Sequence, residues 1–316
     1  MRENKKILIL SVAAVVLILA FLFTDLGYNW SYALPKRGWK IFAIVLTGAA
    51  IAFATLIFQT ITNNRILTPS ILGLDSLYML IQTVLIFTLG STNLTIINKQ
   101  VNFLISVVLM ILFSSILYKI LFKRDNGNIY FLLLIGLIFG TFFQSFSTFM
   151  QVLIDPNEFM MIQGKMFASF NNVQTDVLAL AVLLIVLVSI YFARFMKYLD
   201  VLSLGREHAI NLGVDYDYVV KRLLVVVAIL ISVATALVGP ITFLGLLVVN
   251  VAYELFKTYK HSYLLLGSIL ISIIALVGGQ LIVERVFTFS TTLSVIINFI
   301  GGVYFIYLLL KENKQW

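Results

Sequence analysis

This amino-acid sequence specifies an all-α polytopic membrane protein, on three grounds. The first is composition. Of 316 residues, 61% are hydrophobic and 11% charged, whereas a soluble domain is roughly a quarter charged and about half apolar. The second is pattern. Apolar runs long enough for a helix to cross the ~30 Å hydrocarbon layer recur from end to end. The third is length, because barrel strands would be roughly ten residues with alternating polarity. No long polar stretch intervenes, so residues 1–316 read as a single transmembrane domain.

Composition also narrows function. There are no cysteines, which excludes disulfides, thiolate metal sites and cysteine nucleophiles. The two histidines, His208 and His261, are too few for a histidine-rich metal path, so no metal ligand is assigned. The net charge of +8 reads as basic residues retained on the cytoplasmic side rather than as a nucleic-acid surface. No Gly-x-x-x-x-Gly-Lys-Ser/Thr phosphate loop occurs, so the chain cannot bind ATP by that route. No Ser/His/Asp constellation is visible, so no residue is assigned a catalytic role and no cofactor is expected in this chain.

Ten spans are expected, at about 7–24, 39–60, 71–90, 100–122, 129–150, 174–195, 220–239, 241–257, 263–284 and 292–311. The first follows Arg2, Lys5 and Lys6 like a signal peptide but lacks a small-residue cleavage site, so it reads as a retained span. An even number puts both termini on one side. With ten spans, sixteen Lys and Arg residues fall on that side and six on the other, so both termini should be cytoplasmic. Spans 7 and 8 touch at Gly239-Pro240, and one broken span there would reverse the last third. The basic pair Lys257 and Lys260 favours ten.

The loops carry their own signals. Asp25–Gly38 should be an outer loop whose Tyr and Trp rings favour the headgroup zone. Asp155-Pro156 resembles a helix start, so a short extracytoplasmic helix is expected at about 156–170. In Gln59–Gly73, Asn64, Pro69 and Gly73 mark a tight cytoplasmic turn, because Pro69 forbids a continuous helix. Gly239 and Pro240 should break the chain at the outer face, and Gly245 should allow close packing in span 8. Small residues at Gly48–Ala54 read as span packing, with pore lining as the second reading. Gly278-Gly279 and Gly301-Gly302 are similar, weaker patches. Asp75, Glu254 and Glu284-Arg285 are expected near interfaces, where snorkelling or a local ion pair accommodates charge. Ion coupling through Asp75 or Glu254 is the alternative.

One polar island stands out. Leu204–Val214 reads Leu-Gly-Arg-Glu-His-Ala-Ile-Asn-Leu-Gly-Val, inside a cytoplasmic segment at about 200–218. Gly205 and Gly213 can bend the chain at its ends. Arg206, Glu207 and His208 offer directional polar contacts. By composition alone it is a solvated loop.

The order of these elements resembles the permease subunit of bacterial ATP-binding-cassette importers for iron–siderophores, haem and cobalamin. In that family Gly-Ala-Ala-Leu-Ala precedes Gln-x5-Asn-Pro-Leu-Ala-x-Pro-x-Leu-Gly. This chain has Gly48–Ala52, then Gln59, Asn64, Leu67, Pro69, Leu72 and Gly73, with Arg65 in place of the first proline. The family's Leu-Gly-x4-Ala-x-x-Leu-Gly is similar to Leu204, Gly205, Ala209, Leu212 and Gly213. Its Gly-x-Ile-x-Phe-x-Gly-Leu-x-x-Pro-His resembles Gly239, Ile241, Phe243, Gly245 and Leu246, with Val249-Asn250 replacing Pro-His. The closing Gly-x-x-x-Phe-x-x-x-Leu-Leu is similar to Gly301–Leu310.

The resemblance implies a ten-span cobalamin-permease-like fold that works as a pair, with two identical or two different permease subunits. It implies a cytoplasmic ATPase dimer that holds the ATP and Mg, docked on Leu204, Gly205, Arg206, Glu207, His208, Ala209, Leu212 and Gly213. It implies an extracytoplasmic substrate-binding protein whose carboxylates meet Arg37, Lys40 and Arg285. The expected function is import of an iron–siderophore complex across the cytoplasmic membrane, closest to the ferric catecholate, petrobactin-type branch. Haem or cobalamin as cargo, or an ion-coupled secondary carrier, are the alternatives. An intramembrane enzyme would need a buried constellation that two histidines and no cysteine do not supply.

Overall fold

The computed structural model describes residues 2–24, 29–90, 98–124, 129–171, 175–289 and 291–312. The start of the aromatic loop, Asp25–Tyr28, and the expected loop residues Asn172 and Lys314 lie outside them. Within the described residues there is no strand. The α-helices are α1 (Arg2–Phe23), α2 (Trp30–Thr62), α3 (Leu74–Leu89), α4 (Lys99–Arg124), α5 (Ile129–Leu153), α6 (Pro156–Met166), α7 (Thr175–Ala193), α8 (Met196–Leu202), α9 (Arg206–Asn211), α10 (Tyr216–Val238), α11 (Leu244–Phe256), α12 (His261–Arg285) and α13 (Leu293–Glu312).

Eight of them (α1, α2, α4, α5, α7, α10, α12 and α13) are long and apolar enough to cross a membrane. The core sits around α2 and α10, whose apolar spans are mostly buried, whereas α1, α5 and α13 turn most of their residues outward. α6 is the short helix expected near 156–170, and Asp155 caps it by accepting from the Asn157 N–H.

Two expected spans are shorter than the sequence reading allowed. α3 and α11 have 16 and 13 residues, or about 24 and 20 Å at 1.5 Å per residue, and each begins inside the bundle. The chain turns after α2 at the exposed Asn63 and Arg65. It folds back along α2, so that Pro69, Ser70 and Asp75 share a cavity wall with Ile51 and Thr55. Those α2 residues lie seven or more positions before Thr62, roughly 10 Å or more along the helix.

Local chemistry explains the reversal. Asn63 takes the left-handed conformation, φ 47°. The Arg65 carbonyl then accepts from two side-chain amides, Gln59 Nε2 at 2.6 Å and Asn250 Nδ2 at 2.8 Å. Asn64 Oδ1 accepts from the Ile66 N–H at 2.9 Å. A 3-10 turn, Pro69–Leu72, leads into Gly73 at φ +76°. A Cβ on Gly73 would lie 2.8 Å from the Gly140 Cα, so this corner presses backbone to backbone against α5. At α11, a Cβ on Gly245 would lie 2.0 Å from Thr55 Oγ1, the close packing that position was expected to allow.

The loop expected over Asp25–Gly38 is also corrected. α2 starts at Trp30 and runs through both Pro35 and Gly38. Pro35 forfeits one backbone donor near the helix start, and a helix of 33 residues tolerates that loss.

The candidate docking segment and the internal cavity

Local hydrogen bonds shape Leu204–Val214 into a short knuckle between α8 and α10. The Ala209 N–H donates to the Gly205 carbonyl and the Val214 N–H to the Ala209 carbonyl, both at 3.0 Å. Gly205 and Gly213 sit at φ +96° and +82°, where a side chain would be strained. Ala209 is buried and anchors the knuckle, with Leu199 and Leu202 of α8 beneath.

The outer side of the knuckle mixes charge with apolar bulk. Arg206, Glu207 and His208 are exposed. So are Leu204, Ile210 and Leu212, at 55%, 48% and 63%. Clustered exposed apolar side chains mark interaction sites. Sequence reasoning singled out every one of these residues except Ile210, because nothing in its spacing separates a partner-facing isoleucine from a buried one. Arg206 is partly engaged. Its guanidinium reaches Asp217 at 3.4 Å and lies over the Tyr216 ring at 5.7 Å.

A second set of contacts ties this segment to the bundle. Asp200 of α8 accepts from both the backbone N–H of His261, at 2.8 Å, and His261 Nδ1, at 2.7 Å. The other ring nitrogen, Nε2, meets Thr60 Oγ1 at 2.9 Å. One buried imidazole therefore joins α8, the start of α12 and the end of α2. The residue before α12, Lys260, provides no side-chain cap, so Asp200 serves as a cap from a distant element. Beside it lies a polar cavity of about 380 Å³ whose lining includes Gln59, Arg65, Tyr253 and His261. The Arg65 guanidinium rests 4.5 Å from the Tyr253 ring centroid.

A further cavity, of about 440 Å³, opens beside the Pro240–Phe243 break. Its lining includes Thr68, Ser70, Asp75, Gln144, Thr242 and Phe243. Asp75 was expected near an interface. It is half-buried where the turned-back segment, α3 and the Pro240–Phe243 break converge. Glu254, by contrast, is exposed near the end of α11, as expected.

At the opposite end, the three expected docking cations are engaged within the chain. Arg37 donates to the carbonyls of Phe21 and Thr24 at 3.2 and 2.6 Å, and Arg285 donates to the Thr24 carbonyl at 2.8 Å. Both thereby complement the negative end of α1. Lys40 pairs with Glu284 at 2.7 Å and donates to Asn171 Oδ1 at 2.8 Å. The local Glu284-Arg285 pair anticipated from sequence is replaced by this long-range one. Nearby in sequence to this rim, Lys165 of α6 donates to Gln82 Oε1, and Gln82 donates to Ser106 at 2.8 Å. Burial, with the Lys99 charge second, pushes the Lys165 ammonium down to about 8.

A bundle with eight helices long and apolar enough to cross a membrane, two cavities among them and an exposed knuckle has the architecture of a multi-pass membrane permease. The chain belongs to the FecCD transport family, whose model matches residues 7–311. Members are permease subunits of ATP-binding-cassette importers, transport components rather than enzymes. The chain is 70% identical over 316 residues to the petrobactin import system permease YclO of Bacillus subtilis strain 168, covering 100% of both chains. It is 38% identical to the petrobactin import system permease FatC of Bacillus anthracis, covering 88% of this chain and 78% of that one. Its fold matches a solved metal-chelate-type ATP-binding-cassette transporter with a TM-score of 0.81, at 20% identity, covering 98% of this chain and 99% of that one.

Proposed function

We propose that this chain is the membrane-spanning subunit of an ATP-driven importer that carries iron–siderophore complexes, ferric petrobactin first among them, across the bacterial cytoplasmic membrane. The petrobactin import permeases among its relatives support that cargo. Both termini and the knuckle face the cytoplasm. A separate ATPase dimer, holding the ATP and Mg, docks on Leu204–Gly213 within the segment 200–218. A second permease subunit, identical or different, completes the path. An extracytoplasmic binding protein delivers cargo at the rim formed by Arg37, Lys40 and Arg285. There Lys40 would exchange Glu284 for a carboxylate of the partner, an electrostatic contact that orients more than it adds affinity.

The observation that carries this reading is the exposed Leu204, Ile210 and Leu212 on a knuckle anchored by buried Ala209. Closure of the ATPase dimer would move the knuckle. The Asp200–His261–Thr60 contacts would pass that motion to α12 and α2 and change access to the internal path. Reconstitution tests it. Uptake of the ferric siderophore should require the cognate ATPase and ATP, and replacing Arg206–Ala209 with glycine should separate hydrolysis from uptake. Unchanged uptake per ATP in that variant would remove the docking segment from the mechanism.

A further inference from the structure

Asp75 is half-buried at the start of α3, with no basic partner among the described residues. Three hydroxyls approach it instead. Thr242 Oγ1 is 3.2 Å from Oδ2, Thr235 Oγ1 is 3.5 Å from Oδ1, and the Ser70 hydroxyl is the third. They come from three separate elements: the 3-10 turn before α3, the last turn of α10 and the loop before α11. Behind the carboxylate is a cavity of about 10 Å³, also lined by Thr55 and Thr68. That is room for roughly one water-sized particle. In front lies the 440 Å³ cavity, which Asp75 also lines. The site therefore has an entry path.

A half-buried carboxylate among membrane-spanning helices is costly unless its charge is balanced. Hydroxyl donors solvate the charge without cancelling it. The separations are also long for O–H···O⁻ hydrogen bonds, which run at about 2.5–2.7 Å. Two oxygens that share a hard cation at about 2.4 Å, at right angles, stand about 3.4 Å apart. The observed 3.2 and 3.5 Å bracket that spacing. One carboxylate balances one positive charge, whereas a divalent ion would leave a surplus in the bundle. Membrane carriers hold small monovalent cations where helices break and oxygens converge.

We propose that Asp75, Ser70, Thr235 and Thr242, with Thr55 and Thr68, bind one monovalent cation of sodium's size, and that this ion pins the starts of α3 and α11 to the end of α10. The site does not depend on the cargo or the ATPase, so its test is separate from that of transport.

The experiment is thermal unfolding of the purified full-length permease in sodium chloride against choline chloride, at equal ionic strength and neutral pH. The expected result is a saturable sodium-dependent rise in Tm of about 5 °C at a hundredfold excess over half-saturation, absent in Asp75→Asn. Because Asp75→Asn also alters contacts that the fold uses, Thr242→Val and Thr235→Val are measured as well, and each should raise the half-saturating sodium concentration at least about tenfold, the effect of losing roughly 1.4 kcal/mol of ligation. Equal Tm in sodium and choline would mean that the cavity holds water only and would overturn the proposal. A sodium effect that survives in Asp75→Asn, or unchanged half-saturation in both threonine variants, would place the ion elsewhere. A rise in Tm on acidification in choline, with no sodium effect at neutral pH, would make a proton the balancing charge and would equally defeat it.

Discussion

Replacing Asp200 with alanine should loosen the docking segment from the bundle while leaving the knuckle itself folded. One carboxylate oxygen takes two hydrogen bonds, 2.8 Å from the His261 backbone N–H and 2.7 Å from its Nδ1. Losing a helix-cap acceptor costs about 0.5–2 kcal/mol, and losing the imidazole bond about 1 kcal/mol more. The Asp200 side chain is 47% exposed, so water replaces part of both. The expected net loss is about 1–2 kcal/mol, or roughly 2–6 °C in Tm for a chain of this size. The knuckle keeps its own backbone bonds, so ATPase docking and hydrolysis should persist. The buried ring then faces Thr60 alone, and uptake per ATP should fall several-fold in proteoliposomes where both are measured. Asp200→Asn keeps an oxygen that accepts from both N–H groups and should restore most of the coupling. If Asp200→Ala lowers Tm yet leaves uptake per ATP unchanged, the idea that these contacts transmit motion is refuted. If Asn behaves like Ala, the hydrogen-bond account is refuted.

Four further outcomes follow from described contacts. Leu212→Asp or Ile210→Asp should abolish co-purification of the ATPase with little change in Tm, since both side chains are exposed; retained binding would show that the apolar face is not the docking surface. Glu284→Gln should destabilise the protein by about 2 kcal/mol, because Lys40 at 13% exposure is left with a buried, unbalanced charge, and Lys40→Met with Glu284→Met should recover at least half of that in a double-mutant cycle of unfolding temperatures. Lys165 should be acylated by a water-soluble amine reagent with a midpoint near pH 8, as its ammonium sits at about 8. Between pH 8 and the usual lysine range the unfolded chain holds the extra proton, so this group makes stability rise with pH there, which a Lys165→Met comparison of Tm against pH would register. Gly73→Ala should cost more than 3 kcal/mol, combining a left-handed φ of +76° with backbone at 2.8 Å, whereas Gly164→Ala, with nothing within 4 Å, should be neutral or slightly stabilising by thermal shift.

Much of the fold was legible because lipid imposes one rule on every span: a long apolar helix with its backbone bonds satisfied internally. Hydropathy alone finds α1, α4 and α12. The knuckle was legible too, through its paired glycines and its charge between apolar runs. The turned-back segment was not, because its cause is tertiary. Gln59 and Asn250 are 191 residues apart in sequence and converge on one carbonyl, and Gly73 meets Gly136 and Gly140 of another helix. The contacts of Asp75 with Thr235 and Thr242 were hidden with it. The contacts that the rim cations make within the chain were not legible for the same reason. Arg37, Lys40 and Arg285 look like free outward charges, but their partners, Thr24 and Glu284, are distant in sequence or unremarkable in type. The Asp200–His261 contact gives no local sign at all, since neither residue stands in a recurring pattern.

The fastening of α1 has a consequence for biosynthesis. α1 is made before α2–α13, yet two of its polar ties reach late parts of the chain: Lys6 donates to the Leu255 carbonyl at 2.7 Å, and Arg285 donates to the Thr24 carbonyl at 2.8 Å. Synthesis at about 5–20 residues per second leaves α1 without those ties for roughly 10–50 s while the intervening helices are inserted. During that interval its polar ties are those from Arg37 of α2 to the Phe21 and Thr24 carbonyls. Ribosome stalling or truncation before residue 261 should therefore leave α1 removable by competition from an added copy of itself, and completion of the chain should lock it in place.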